Sequence, residues 1–306
     1  MSTIAVLGAG AVGARVARQL LTSDVVEQVV LRDISAERLA RASRALGGRC
    51  RVEHHPFPGS LEADVVVVAT PRGTHLEAVN ETIAARRPAV LVGDGLAETI
   101  AVLRRSGDAA RAGIPIAVGS GFGPGMSCVL AAHGASWFDE VDEVHVAKAG
   151  TGGPACALVH HRALSRRSYD WRVADGSGAG DWVRRAGGSG RELVWFPDPV
   201  GPRDCYRAAL PDPVLLHHAL PTVGRITARV AATRRDRLTA PLPMLSPPHV
   251  EGGTGAVRVE VRGRRGEASD VVVLGATERP AVAAAAVAAT TVEWLLAGRH
   301  RVAGMA

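Results

Sequence analysis

Over the first 124 residues, short apolar runs alternate with stretches whose apolar positions recur every three or four residues. Ile4–Leu7 is a wholly apolar run, and Ala11–Leu21 places Val12, Val16 and Leu20 on one helical face. The alternation continues with a strand at Val29–Leu31, a helix at Ala36–Leu46 and an unbroken apolar strand within Asp64–Thr70. A helix near Leu76–Ala85, a strand at Ala89–Val92, a helix at Leu96–Arg105 and a strand at Ile114–Val118 complete it. Strands apolar on both faces need cover on both, and strands alternating with helices make βαβ units. The pattern predicts an α/β chain beginning with a doubly wound parallel sheet.

From Gly125 the pattern changes. A helix at Met126–Ala135 precedes a strand at Glu143–Lys148, then a Gly150–Pro154 loop and a helix from Pro154 to Leu164. Residues 166–191 are polar and glycine-rich and read as a hairpin or loops, and 193–250 are proline-rich with little period. Ala256–Arg262 and Ala268–Leu274 read as an antiparallel hairpin joined through Gly263–Gly266. The apolar 280–297 stretch is too short to span a bilayer, and Glu293 interrupts it, so it reads as a helix buried between domains. The expected domains are 1–124, an α+β domain with a mixed or antiparallel sheet at 125–278, and this C-terminal helix at 279–306.

The first strand runs straight into Gly8-Ala9-Gly10-Ala11-Val12-Gly13, a G-x-G-x-x-G that opens a helix. Gly8 suits the tight turn, Gly10 lets a pyrophosphate approach the backbone, and Gly13 lets helix and strand pack closely. The helix N-terminus, with the amides of Ala11 and Val12, offers its dipole to the phosphates. Asp33, twenty residues after Gly13, is placed to accept from an adenosine ribose, which favours NAD over NADP. Arg32, Ser35 and Arg38 are the residues that would instead hold a 2′-phosphate. Ligands bind beyond the carboxyl ends of parallel strands, so Ala69-Thr70-Pro71, Gly93 and Gly121-Phe122 are expected to line the same cofactor site.

These motifs resemble the saccharopine dehydrogenase-like family of NAD(P)-binding oxidoreductases. GAGAVG at 8–13, LRD at 31–33, ATP at 69–71 and AGIPIAVGSGFGPGMSCVLA at 112–131 carry the resemblance. It implies a Rossmann domain, a junction to a substrate domain at GFGPGM, and a homodimer formed through the second domain. It also implies hydride transfer to or from an amino-acid-like or imine substrate. The glucose–fructose oxidoreductase group would share Pro71 and His75, but its Glu-Lys-Pro is replaced here by Gly93-Asp94-Gly95. The alternative is a dinucleotide-binding sensor or scaffold without chemistry.

Of 36 basic residues, 35 are arginine and one is lysine, Lys148, at a strand end before a glycine loop. Arginine does not give up its proton, whereas lysine can act as acid or base, so Lys148 is the candidate catalytic residue. Gly152 and Gly153, at the start of the next helix, are candidates to hold a substrate carboxylate with backbone N–H groups. His145 falls on the opposite strand face from Lys148. Arg225 and Arg229, four apart on one possible helix face, read as a solvated face, with a clamp for a dicarboxylate as the alternative.

The His pairs 54/55, 160/161 and 217/218 lack metal-ligand spacing and read as helix-surface or loop residues, so no metal is expected. Four scattered cysteines suggest neither disulfides nor zinc, and with no signal-peptide pattern at the start a cytoplasmic protein is expected. The net charge of +6 comes from arginines spread along the chain, with aromatics at 4%. The expected partner is a small molecule, with no nucleic acid or membrane.

Overall fold

The computed structural model describes residues 2–55, 62–174, 180–244, 252–300 and 304–305. The chain forms two compact units. The first comprises 1–93, 97–121 and 281–306, and the second 94–96 and 122–280. The chain therefore passes from first to second unit at Gly93/Asp94 and at Gly121/Phe122.

In the first unit the expected alternation is realised as β1 (Ser2–Leu7), α1 (Gly13–Leu20), β2 (Val26–Asp33), α2 (Ala36–Leu46), β3 (Cys50–His54) and β4 (Val65–Val68). There follow α3 (His75–Ala84), β5 (Ala89–Leu91), α4 (Leu96–Leu103), α5 (Ser106–Ala112) and β6 (Pro115–Val118). The strands form one sheet in the order β3-β2-β1-β4-β5-β6, every pair parallel. The order reverses between β1 and β4, and ligands of doubly wound sheets bind in the crevice at that reversal.

Alternation along each strand explains the apolar runs. Ile4, Val6, Val65 and Val67 enter one core, while Ala5, Leu7, Val66 and Val68 enter the core on the other face. Strand β3 and helix α5 were absent from the sequence reading.

The second unit contains α6 (Met126–Ala135), β7 (Glu140–Ala149), α7 (Pro154–Ala163), β8 (Arg167–Val173), β9 (Gly180–Ala186), β10 (Glu192–Trp195) and β11 (Pro202–Arg207). It continues with α8 (Asp212–Ala219), β12 (Arg225–Ala231), α9 (Arg234–Thr239), β13 (Gly255–Arg265) and β14 (Ala268–Glu278). The sheet order is β10-β11-β12-β7-β13-β14, with β8 pairing both β12 and β9. Only β12–β7 is parallel among these pairs, so the sheet is mixed, as expected. The hairpin foreseen within 166–191 is β8–β9, and its residues 175–179 lie outside the described residues, as do 245–250 of the proline-rich stretch.

The C-terminal segment differs from expectation. Helix α10 (Pro280–Leu296) brings Ala285, Ala288, Ala289 and Val292 into the same core as Ile4 and Val6, so it is a layer of the first unit. The two-residue strand β15 (Gly304–Met305) then pairs with β6. Among the described residues no helix is long and apolar enough to cross a membrane.

Candidate functional sites

The glycine loop sits where β1 ends at the reversal of strand order. Gly8 has φ +99°, and a Cβ there would lie 2.7 Å from the Ala69 carbonyl oxygen. A Cβ on Gly13 would lie 1.8 Å from the Gly8 carbonyl oxygen, so neither position accepts a side chain. Gly10 is different, because nothing lies within 4 Å of where its Cβ would be. The loop thus presents bare backbone to open space directly before α1. The N-cap of α1, Val12, makes no side-chain capping bond, and the first turn holds no acid.

Asp33, buried at the end of β2, braces this loop. Its Oδ2 accepts from the Ala9 amide at 2.7 Å and its Oδ1 from the Ser35 amide at 2.8 Å. A carboxylate has about four acceptor sites, so each oxygen keeps capacity for a ligand hydroxyl. Arg38 lies 3.7 Å from Asp33 Oδ2, and Arg32 is hydrogen-bonded to Glu53 on β3. Ser35 is the N-cap of α2, its hydroxyl accepting from the Arg38 amide.

At the end of β4, Ala69 donates its amide to Leu7. The Thr70 hydroxyl meets that of Thr74 at 2.6 Å, and Thr74 donates to the Pro71 carbonyl. The Thr70 carbonyl lies 2.9 Å from Nε2 of buried His75. Gly93 is required because a Cβ there would be 2.6 Å from the His75 ring. Of the expected cofactor residues, the structure brings Gly8–Gly13, Asp33, Ala69, Thr70 and Pro71 to neighbouring strand ends. Gly121 closes the first unit, and Phe122 opens the second.

A second polar cluster is built wholly within the second unit. Lys148, near the end of the central strand β7, is 1% exposed. Its ammonium donates to the Gly123 carbonyl and lies 3.6 Å from Asp212 Oδ2. A Cβ on Gly123 would come 2.7 Å from Lys148 Cδ, so a side chain there would displace the lysine. Asp212, the first residue of α8, is fully buried, and its Oδ1 accepts from the Ser127 hydroxyl at 2.7 Å. Burial, followed by the charge of Asp212, pushes the Cys128 thiol up to about 12.

Helix α7 presents Cys156 and His160 one turn apart, and Asp94 meets both. The Cys156 sulfur lies 3.8 Å from His160 Nε2, which is 3.5 Å from Asp94 Oδ2. Cys156 is hydrogen-bonded to Asp94 and to the backbone of Gly152. Burial, reinforced by Asp94, pushes the Cys156 thiol well up. Burial, reinforced by the Lys148 charge, pulls His160 well down. Gly153 caps α7 in an extended glycine-only geometry with φ 134°. Of the sequence candidates, Gly152 meets Cys156 through its backbone, and the Lys148 charge reaches both Cys156 and His160.

Several expectations need correction. His160 is not a helix-surface residue but buried within this cluster, which sequence reasoning missed together with Asp212, Ser127 and the role of Asp94. The overlooked signal was the four-residue spacing of Cys156 and His160 on one predicted helix. Arg225 and Arg229 lie on strand β12 rather than a helix, and they pair with Glu143 and Glu192. His145 does lie apart from Lys148, bonded to Thr227 and Glu143.

The glycine loop thus lies at the strand-order reversal of a parallel sheet, in a chain whose second unit carries a mixed sheet. Residues 2–113 match the GFO/IDH/MocA model, described as the oxidoreductase family with an NAD-binding Rossmann fold.

Solved structures extend the fold likeness over both units. Saccharopine dehydrogenase (L-Glu forming) of Saccharomyces cerevisiae aligns over 100% of this chain and 93% of that one, with 12% identity and a TM-score of 0.67. A probable dehydrogenase from Thermotoga maritima aligns over 97% and 89%, with 12% identity and a TM-score of 0.52. Scyllo-inositol dehydrogenase from Lactobacillus casei aligns over the same shares, with 13% identity and a TM-score of 0.50. No curated protein matches the sequence.

Proposed function

We propose that the protein is an NAD(P)-linked dehydrogenase or reductase acting at a carbon–nitrogen bond of an amino-acid-like or imine substrate, with Lys148 as its acid–base residue. The observation that carries this reading is the burial of the chain's single lysine between a carbonyl and a carboxylate. A lysine left merely for solubility would sit in water, because burying an ammonium is unfavourable without partners.

The glycine loop fits a dinucleotide, since the space beside Gly10 is open and the first turn of α1 carries no competing acid. Gly8–Gly13 would hold the pyrophosphate, and Asp33 the adenosine ribose hydroxyls. The Asp33 charge, with Arg32 already engaged by Glu53, favours NAD over NADP. When bound, the nicotinamide supplies a hydride acceptor or donor. Lys148 then exchanges a proton with the substrate nitrogen, and Asp212 holds the ammonium in place. Backbone amides at Gly152–Gly153 orient the substrate carboxylate. Assembly as a homodimer through the second unit goes with this reading, and light scattering at micromolar concentration tests it.

A panel of amino acids and opines with NAD and NADP, followed at the nicotinamide absorbance, tests the activity. Lys148→Met is expected to lower turnover by about 10²–10⁴ while leaving cofactor affinity intact. Full turnover in that variant, or no binding of either dinucleotide to the wild type, refutes the proposal.

A further inference from the structure

We infer that Asp94, Cys156 and His160 form a site for a divalent transition-metal ion, Zn²⁺ by ligand chemistry, with one coordination position open. The three offer one carboxylate oxygen, one sulfur and one imidazole nitrogen, all within 4.8 Å of one another. Bond lengths of about 2.0–2.3 Å at tetrahedral angles put neighbouring ligand atoms about 3.3–3.6 Å apart. The observed separations are 3.8 Å for sulfur to Nε2 and 3.5 Å for Nε2 to Oδ2. These two pairs are within a few tenths of an ångström of that spacing, and the sulfur and the Asp94 oxygen lie within 4.8 Å of each other.

The scaffold is suited to holding the ligands. Cys156 and His160 stand four residues apart on α7, so both project from one face of a regular helix. Asp94 directly follows Gly93, where the chain enters the second unit. Mixed sulfur, nitrogen and oxygen ligation excludes Mg²⁺ and Ca²⁺, which take oxygen alone, and suits zinc.

Charge also balances. A thiolate at Cys156 and the Asp94 carboxylate neutralise a divalent ion, while the nearby Lys148 ammonium is matched by Asp212. On binding, the thiol proton leaves to solvent and a sulfur–metal bond replaces the S–H bond, with no change of oxidation state. Three protein ligands leave the fourth tetrahedral position for water or a ligand atom, the arrangement of open zinc sites.

The test is a cobalt titration of the full-length protein after treatment with a chelator. Co²⁺ is expected to bind at one equivalent and to give the near-ultraviolet band of thiolate-to-cobalt charge transfer. Stoichiometric Zn²⁺ should bleach it. Cys156→Ser and His160→Asn should each abolish the band, whereas Cys50→Ala should retain it. A wild-type protein without the band at 100 μM Co²⁺ (about a hundredfold above a micromolar site), or a band that survives Cys156→Ser, overturns the assignment. Should Cys156→Ser fail to fold, alkylation of the wild type mapped by mass spectrometry decides. Zn²⁺ must then protect Cys156, and equal labelling with and without Zn²⁺ overturns the site.

Discussion

Replacing Gly10 by alanine separates what the glycine loop does for the fold from what it does for a ligand. No atom lies within 4 Å of the added Cβ, and Gly10 does not occupy the left-handed region, so the folded state accommodates the methyl group. The unfolded chain loses freedom, which favours the variant by about 0.4–1 kcal/mol. The thermal midpoint should therefore stay level or rise by about 2–4 °C. The same methyl group stands where a pyrophosphate would approach the backbone. Losing one charge-assisted N–H contact removes about 1.5–3 kcal/mol, or roughly a 10- to 100-fold weaker dissociation constant. Gly13→Ala is the contrast, because its Cβ would be 1.8 Å from the Gly8 carbonyl oxygen. Overpacking against backbone costs about 1–3 kcal/mol or more. Thermal unfolding with calorimetric titration of NADH reads both effects. A Gly10→Ala protein that binds NADH as tightly as the wild type refutes the placement of the pyrophosphate.

Other consequences are open to measurement. Asp212→Asn leaves the Lys148 ammonium buried without its counter-charge, and urea unfolding should show a loss of about 3–5 kcal/mol, much of it recovered in the Lys148→Met/Asp212→Asn double variant. Burial pushes the Glu260 carboxyl up, but hydrogen bonds from Arg262 and Arg258 and their charges outweigh it, so the group ends below its ordinary value. Its stabilisation is then full above about pH 4.3 and lost as the pH falls through the folded value. Glu260→Gln should flatten the acid limb of the stability curve by about 0.2–1 kcal/mol. Burial, then the charge of Glu192, raises the Cys205 thiol to about 12, so iodoacetamide at pH 8 should leave it unmodified until the protein is unfolded.

The first unit was legible because each of its signals is local. The Val65–Val68 run has to be covered on both faces, and the G-x-G-x-x-G falls directly between a strand and a helix. Strand β3 escaped because Cys50–His54 reads CRVEH, an edge strand with one face in water and no apolar run. The second unit was harder, since its sheet is held by distant pairings such as Lys148 with Val230. Lys148 stood out by residue type alone, whereas nothing in the sequence ties Asp212 to Ser127, 85 positions away. Arg225 and Arg229 misled because a four-residue spacing suggests a helix, while β12 is a strand whose arginines pair across the sheet.

Because α10 and β15 belong to the first unit, that unit is not finished when residue 121 has been synthesised. The face holding Ile4, Val6 and Val67 lacks Ala285, Ala288, Ala289 and Val292 until residues 280–296 have left the ribosome. During translation at about 5–20 residues per second, the second unit is thus made while the first still exposes apolar surface. A ribosome stalled before residue 280 should display a first unit that is sensitive to protease and bound by chaperones, and emergence of α10 and β15 should end both.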